Sequence, residues 1–353
     1  MIKKEVSFLK EMDPRVLDQW YLWAKIRLDK PKKLANLPHL IKFHESLKKI
    51  SQKQKVYFLF ADLIKAKFLN NTLMYRGGSP NYTHFKITPG GEYILYNPKY
   101  HLWRNQDIDH DIMKKYSSFK NNRYAQPDKT IELPEHYNLF ALQLTSRKFG
   151  AYDLPLGKME IEKDDPRYSP NGTFFGELGL KGIELTEDEI MPRDEWATRD
   201  AIRHAKETKT YTIFKAHPVA SSPNTKTWDN FIKEGILNEY CIFVDGHECN
   251  VDYLIENADL VYSSDSAVSF TAMLKGKPTA TYYNTDMSEI IPTITTSDDL
   301  VNIKAIPEED VKRFLSWYYH KLCIDIEQDD YEDKIEKMVI RFKNGERTKE
   351  LFS

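Results

Sequence analysis

Apolar positions recur along this chain in two rhythms: every third or fourth residue in some stretches, and in short continuous runs in others. The first rhythm predicts helices and the second predicts buried strands. After Pro14, Leu17, Trp20, Tyr21, Ala24 and Leu28 share one helical face, and a second helix with a lysine-rich solvated face is predicted over 34–50. The run KVYFLF at 55–60 is the first strong strand and leads through Asp62 into another helix. Strands are predicted at 72–75 and 92–96, with RGGSPNY and TPGGE as turns between them. A helix follows at 107–116, and the run NLFALQLT at 138–145 reads as a buried strand.

Between 150 and 182 the rhythm dissolves into a stretch rich in Gly and Pro, which predicts active-site loops and the approach to a domain boundary. From 193 onward, helix and strand alternate cleanly. Helices are predicted at 193–206, 227–234 and 251–257, and strands at 210–215 and 240–244. The stretch 259–283 is a complete strand–helix–strand unit. Leu260, Val261 and Tyr262 form its first strand, and Ser263, Ser264, Asp265 and Ser266 supply capping groups for the helix. Gly276 is the expected left-handed residue closing that helix, and Pro278 precedes the next strand. Such alternation predicts an α/β protein with a doubly wound parallel sheet. Single helices at 308–322 and 331–342 complete the chain.

A length of 353 residues favours two domains. The boundaries expected are 1–185 for an N-terminal α/β domain, 186–325 for a Rossmann-like domain, and 326–353 for a C-terminal helix. The 51 basic residues nearly balance the 53 acidic ones, so overall charge advertises neither nucleic acid nor membrane as partner. Three cysteines without zinc-like spacing, and the lack of a long apolar run, predict a cytoplasmic protein. Phosphate-loop, dinucleotide, zinc-protease and nucleophile-elbow motifs are absent. Asp109-His110-Asp111 and Asp164-Asp165 are short acidic clusters read as solvated, so no metal is expected.

The candidate chemistry sits at predicted strand ends, where open α/β sheets bind ligands. Lys215-Ala216-His217-Pro218 ends one strand, placing an imidazole and an ammonium there. Ser263, Ser264 and Ser266 end another, beside backbone N–H groups of a helix start that suit phosphate. Each has a plainer reading, as a strand-ending turn or an ordinary helix cap. Together they form a plausible clamp for a pyrophosphate or nucleotide monophosphate.

At these residues the chain resembles the capsule-polysaccharide synthesis glycosyltransferases, which include Kdo transferases. FKAHP at 214–218, NVDYLIENADLVYSSDSAVSFTAMLKGKPTATY at 250–282 and LFALQLTSRKFGAYD at 139–153 carry the likeness. The resemblance implies a GT-B fold, with two Rossmann-like doubly wound domains facing a central cleft. It also implies transfer of a sugar from a CMP- or UDP-linked donor, a co-substrate rather than a cofactor, to a glycan acceptor. His217 matches the family's His-Pro histidine, and Ser263, Ser264 and Ser266 its phosphate-side hydroxyls; Lys215 adds donor contact. Asp153 is the first candidate for the carboxylate base or nucleophile and Asp62 the second. Thr271 stands where related chains often carry Glu, which puts donor identity in doubt. Alternatives are a phage-type glycosyltransferase acting on modified bases in DNA, a sugar-nucleotide epimerase or hydrolase, and a non-catalytic nucleotide-binding protein.

Overall fold

The computed structural model describes residues 38–60, 71–77, 84–89, 101–118, 131–142, 193–218, 221–264, 266–282 and 287–353. The helix expected after Pro14, the strand at 92–96, the loops at 150–182, Asp62, Asp153 and Asp265 lie outside them. In chain order the elements begin with α1 (Pro38–Gln54), β1 (Tyr57–Phe60), β2 (Thr72–Gly77) and β3 (His84–Pro89). They continue with α2 (Ile112–Ser118), β4 (Asn138–Ala141), α3 (Arg193–Thr208), β5 (Thr212–Lys215), α4 (Ser221–Glu234) and β6 (Cys241–Val244). Next come α5 (Val251–Asn257), β7 (Leu260–Ser263), α6 (Val268–Leu274), β8 (Thr279–Thr281) and α7 (Glu308–Trp317). The last are β9 (Cys323–Asp325), α8 (Tyr331–Lys343) and α9 (Thr348–Phe352).

Among the described residues the strands form two sheets. One has four strands in the order β1-β2-β3-β9, and the other has five in the order β6-β5-β4-β7-β8. All neighbours in the five-stranded sheet are parallel, as the alternating pattern predicts. Its strands are short apolar runs because both faces are covered. Phe140, Phe214 and Tyr262 point to one covered face, and Leu139, Ile213 and Val261 to the other.

The four-stranded sheet is mixed, with β1 and β2 parallel but β2–β3 and β3–β9 antiparallel. Two of its strands escaped the sequence pattern. His84–Pro89 begins in the unassigned residues between the two predicted turns and runs into the second, and Cys323–Asp325 follows directly on a stretch predicted as one helix to Leu322. That helix keeps α-geometry only to Trp317, and its last turn, Tyr318–Leu322, widens to a π-helix before the chain extends into β9.

Strand membership crosses the sequence order at two points. β4, on the N-terminal side of the boundary expected at 185/186, is the central strand of the five-stranded sheet. β9 and α8 join the four-stranded sheet instead: Ile335 and Val339 of α8 are buried with Phe43 and Leu47 of α1. Ser46 on α1 ties the two helices, donating to Glu332 Oε1 at 2.5 Å with the Tyr331 hydroxyl 2.6 Å away. Helix α6 joins the sheets. Its Ser269 and Ala272 face the parallel sheet, while Phe270 and Met273 enter the core of the other. The Phe270 ring lies 5.9 Å from Tyr116 on α2 and 6.5 Å from Tyr318. Among the described residues no helix is long and apolar enough to cross a membrane.

Candidate functional site

Strand order locates the edge at which a ligand would sit. From β4 the chain steps outward to β5 and β6 on one side, then returns to place β7 and β8 on the other. The order therefore reverses between β4 and β7, and open α/β sheets bind ligands outside the carboxyl ends of the strands at such a switch point. Register aligns the residues there: Ala141 pairs with Lys215 on one side and with Ser263 on the other. Lys215 and Ser263 thus flank one central residue. The two sequence motifs, nearly fifty residues apart, do meet at one sheet edge.

What their side chains do differs from the expectation in two places. Lys215 is buried, and its ammonium donates to the carbonyls of Asp245 at 2.7 Å and Gly246 at 2.8 Å. Burial pulls its pKa down to about 8, against the opposing pull of Asp245. It therefore ties the end of β5 to the loop after β6, and its charge faces backbone carbonyls rather than the ligand edge.

The serine loop is likewise turned inward. Ser263 is buried; its Oγ lies 3.0 Å from Ser269 Oγ and accepts the Ser266 N–H at 2.9 Å. Ser266 Oγ in turn accepts the Val268 N–H at 3.2 Å, and the Ser266 carbonyl takes the Ser269 N–H. Amides expected to be open to phosphate are thus partly occupied by the loop itself, on a helix of only seven residues. Ser264 is also buried, whereas Ser266 is half-buried. At the other end of α6, Gly276 is left-handed at φ +68° and Lys277 N–H returns to the Ala272 carbonyl, as the pattern predicts for a closing glycine.

His217 is half-buried just beyond β5. Its backbone N–H donates to Asn224 Oδ1 on α4 at 3.0 Å. A second constraint comes from Gly246, where an added Cβ would sit 2.8 Å from Pro218 Cα and 2.9 Å from the His217 carbonyl. Only glycine lets the β6 loop pass this close. Asn224 and Gly246, which hold His217 in place, were missed in the sequence. Gly246 had a signal in its turn sequence Asp245-Gly246 after a strand, while Asn224, inside a helix, had none.

Asp109, in one of the two acidic clusters, is held by neighbours. Its carboxylate accepts from Lys115 at 2.6 Å and lies 2.9 Å from His320 Nε2; these partners pull its pKa down to about 2. Among the described residues no group of three His, Cys, Asp or Glu has the arrangement of a metal site.

No family model and no curated protein sequence matches the chain. Its fold is similar to a solved structure titled Thermosulfurimonas dismutans KpsC, beta Kdo 2,7 transferase, with a TM-score of 0.41 and 15% identity over 84% of this chain and 89% of that one. It is also similar to the KpsC beta Kdo 2,4 transferase of the same organism, at 0.38 and 12% over 69% and 71%. A third is the UDP-GlcNAc 2-epimerase of Methanocaldococcus jannaschii in complex with UDP-GlcNAc and UDP, at 0.30 and 12% over 86% and 81%. These are distant likenesses of an α/β fold.

Proposed function

We propose that this chain is a glycosyltransferase that moves a sugar from a nucleotide-activated donor to a glycan, with the donor's phosphates over the carboxyl edge of the five-stranded sheet. The observation that carries this reading is the order reversal between β4 and β7, with the FKAHP and serine motifs in register on either side of Ala141. Glycosyl transfer from such a donor needs stabilisation of the departing phosphate and a carboxylate at the sugar. His217 and Ser266, the half-buried members of the two motifs, would meet the phosphate. Lys215, Ser263 and Ser264 would shape the edge from beneath, through the loop contacts of Lys215 and Ser263. Asp153 remains the proposed base or nucleophile, a metal is not required, and the donor base would be cytosine or uracil.

The test is turnover. His217→Ala should lower transfer from CMP- or UDP-linked sugars by about 10²-fold or more, the scale of a lost electrostatic contact to a leaving group. The backbone contact from residue 217 to Asn224 Oδ1 is kept in the variant, and the melting temperature, measured beside turnover, separates loss of chemistry from loss of fold. Wild-type turnover in that variant would remove His217 from the mechanism, and absence of transfer with any donor in the native chain would remove the function.

A further inference from the structure

The strongest unexplained feature lies beyond β8. Residues 287–291 form a turn whose Met287 and Ile291 are buried in the core of the four-stranded sheet. Glu289 between them is 2% exposed, and neither of its carboxylate oxygens has a hydrogen-bond partner. His101 Nδ1, also without a hydrogen bond, stops 3.7 Å from Glu289 Oε2. His101 itself has left-handed backbone geometry at φ 43° and ψ 42°, uncommon for a residue other than glycine. Directly after it comes the 3-10 turn Leu102–Asn105, whose Trp103 indole N–H donates to the Glu289 carbonyl at 2.9 Å. The backbone is thus pinned while the carboxyl group beside it is left unsatisfied. None of these residues belongs to the site described above.

We propose that Glu289 is a proton-operated latch between the turn at 287–291 and the turn at 101–105: neutral Glu289 keeps them packed, and its ionisation loosens them. The physical reason is desolvation. A neutral carboxyl group tolerates a dry site, whereas a carboxylate there, only partly offset by the His101 amide and Arg104, is far more costly. Burial pushes the Glu289 pKa up to about 7, with the His101 amide and Arg104 pulling the other way. Among the described residues the charged or titratable groups facing it are His101 and Arg104 of the same turn. Helix α7, which packs on that turn, presents Phe314 to Trp103, while its Arg313 is engaged with the Gln106 carbonyl and Glu309. Because the folded pKa is raised above the value of 4.5 expected for the opened chain, the latch is fully closed below about pH 4.5 and is lost as pH rises through about 7.

Hydrogen exchange on the full chain tests this without any ligand. The amides of Ile290 and Ile291, both bonded to the Met287 carbonyl, report opening of the turn. Corrected for intrinsic exchange, their protection should fall about tenfold between about pH 6 and pH 8.5, as linkage through these two pKa values requires. Glu289→Gln, which mimics the neutral acid, should remove that fall and should melt higher than the native chain at the alkaline end only. Flat protection in the native chain, or an equal fall in both proteins, would overturn the latch. If the Gln variant does not fold, the native pH series decides alone.

Discussion

In the five-stranded sheet each strand from β5 to β7 is followed by a helix and then by another strand of the same sheet, so a regular strand–helix alternation builds four of its five strands. In the four-stranded sheet, β3 has as one partner β9, a three-residue strand from near the C-terminus, and α1 is covered by α8 from the same distant part of the chain. Both sheets hold one remote strand: β4 enters the parallel series from far upstream, and β9 closes the mixed sheet from far downstream, each at a loop-closure cost that the neighbouring strands do not carry. The difference in alternation also sorts the two kinds of residue at issue. The candidate ligand edge belongs to the regularly alternating sheet, and the Glu289 latch sits where the core of the mixed sheet receives the turn after β8.

The sharpest way to break the comparison is to cut the remote contacts alone. Ile335→Ala on α8, at a site with no exposed surface, should cost about 4 kcal/mol in urea unfolding. Exchange protection should be lost in β1–β3 and α1 first, with β5 and β6 retained; uniform loss across both sheets would mean that they unfold as one unit. Next in size is Gly246→Ala, which sets a methyl group against the backbone of Pro218 and His217 and should cost about 3 kcal/mol. Its loss of stability should be accompanied by a displaced His217, seen as weaker ligand binding at temperatures where the variant is still folded.

A smaller effect is expected from Lys215→Met, which leaves the Asp245 and Gly246 carbonyls without their donor and should cost about 2 kcal/mol at neutral pH. The native lysine also carries a pH signature. Its folded pKa of about 8 lies below the 10.5 of the unfolded chain, so its proton-linked contribution is fully present above pH 10.5 and is lost as pH falls through about 8. Melting curves of the variant should lack that segment of the pH profile. Smallest is Ser46→Ala, which removes the tie between α1 and α8 and should cost about 1 kcal/mol by denaturant titration.

The same contrast explains how much was legible in the sequence. Leu260–Ser263, Val268–Leu274, Gly276 and Thr279–Thr281 fall within about a residue or two of their expected places, because capping, closing and β-branching signals act over a few residues. β9 was invisible because a three-residue strand is defined by its partner, which here is remote in sequence, and β3 was missed because it is flanked by two Gly- and Pro-bearing stretches read as turns. Tyr318–Leu322 kept a helical pattern although the backbone widens there, since side-chain order does not record a change from α to π hydrogen bonding. At the site, the meeting of the two motifs was legible and their orientation was not. Ser263 and Lys215 turn inward because register sets which face each side chain occupies, and register depends on β4, a strand the sequence assigned to the other domain.

The measurement that tests the central claim most directly is a thermal-shift series of the full chain against CMP, UMP, GMP and their sugar conjugates, run beside Gly246→Ala and His217→Ala. A ligand that binds only the native state raises stability by mass action, about 2.7 kcal/mol at a hundred times its dissociation constant. A clear rise with one pyrimidine nucleotide, reduced in both variants, is the expected result. No rise with any of them in the native chain, or a rise that both variants keep in full, would contradict a donor site at the β4–β7 switch point.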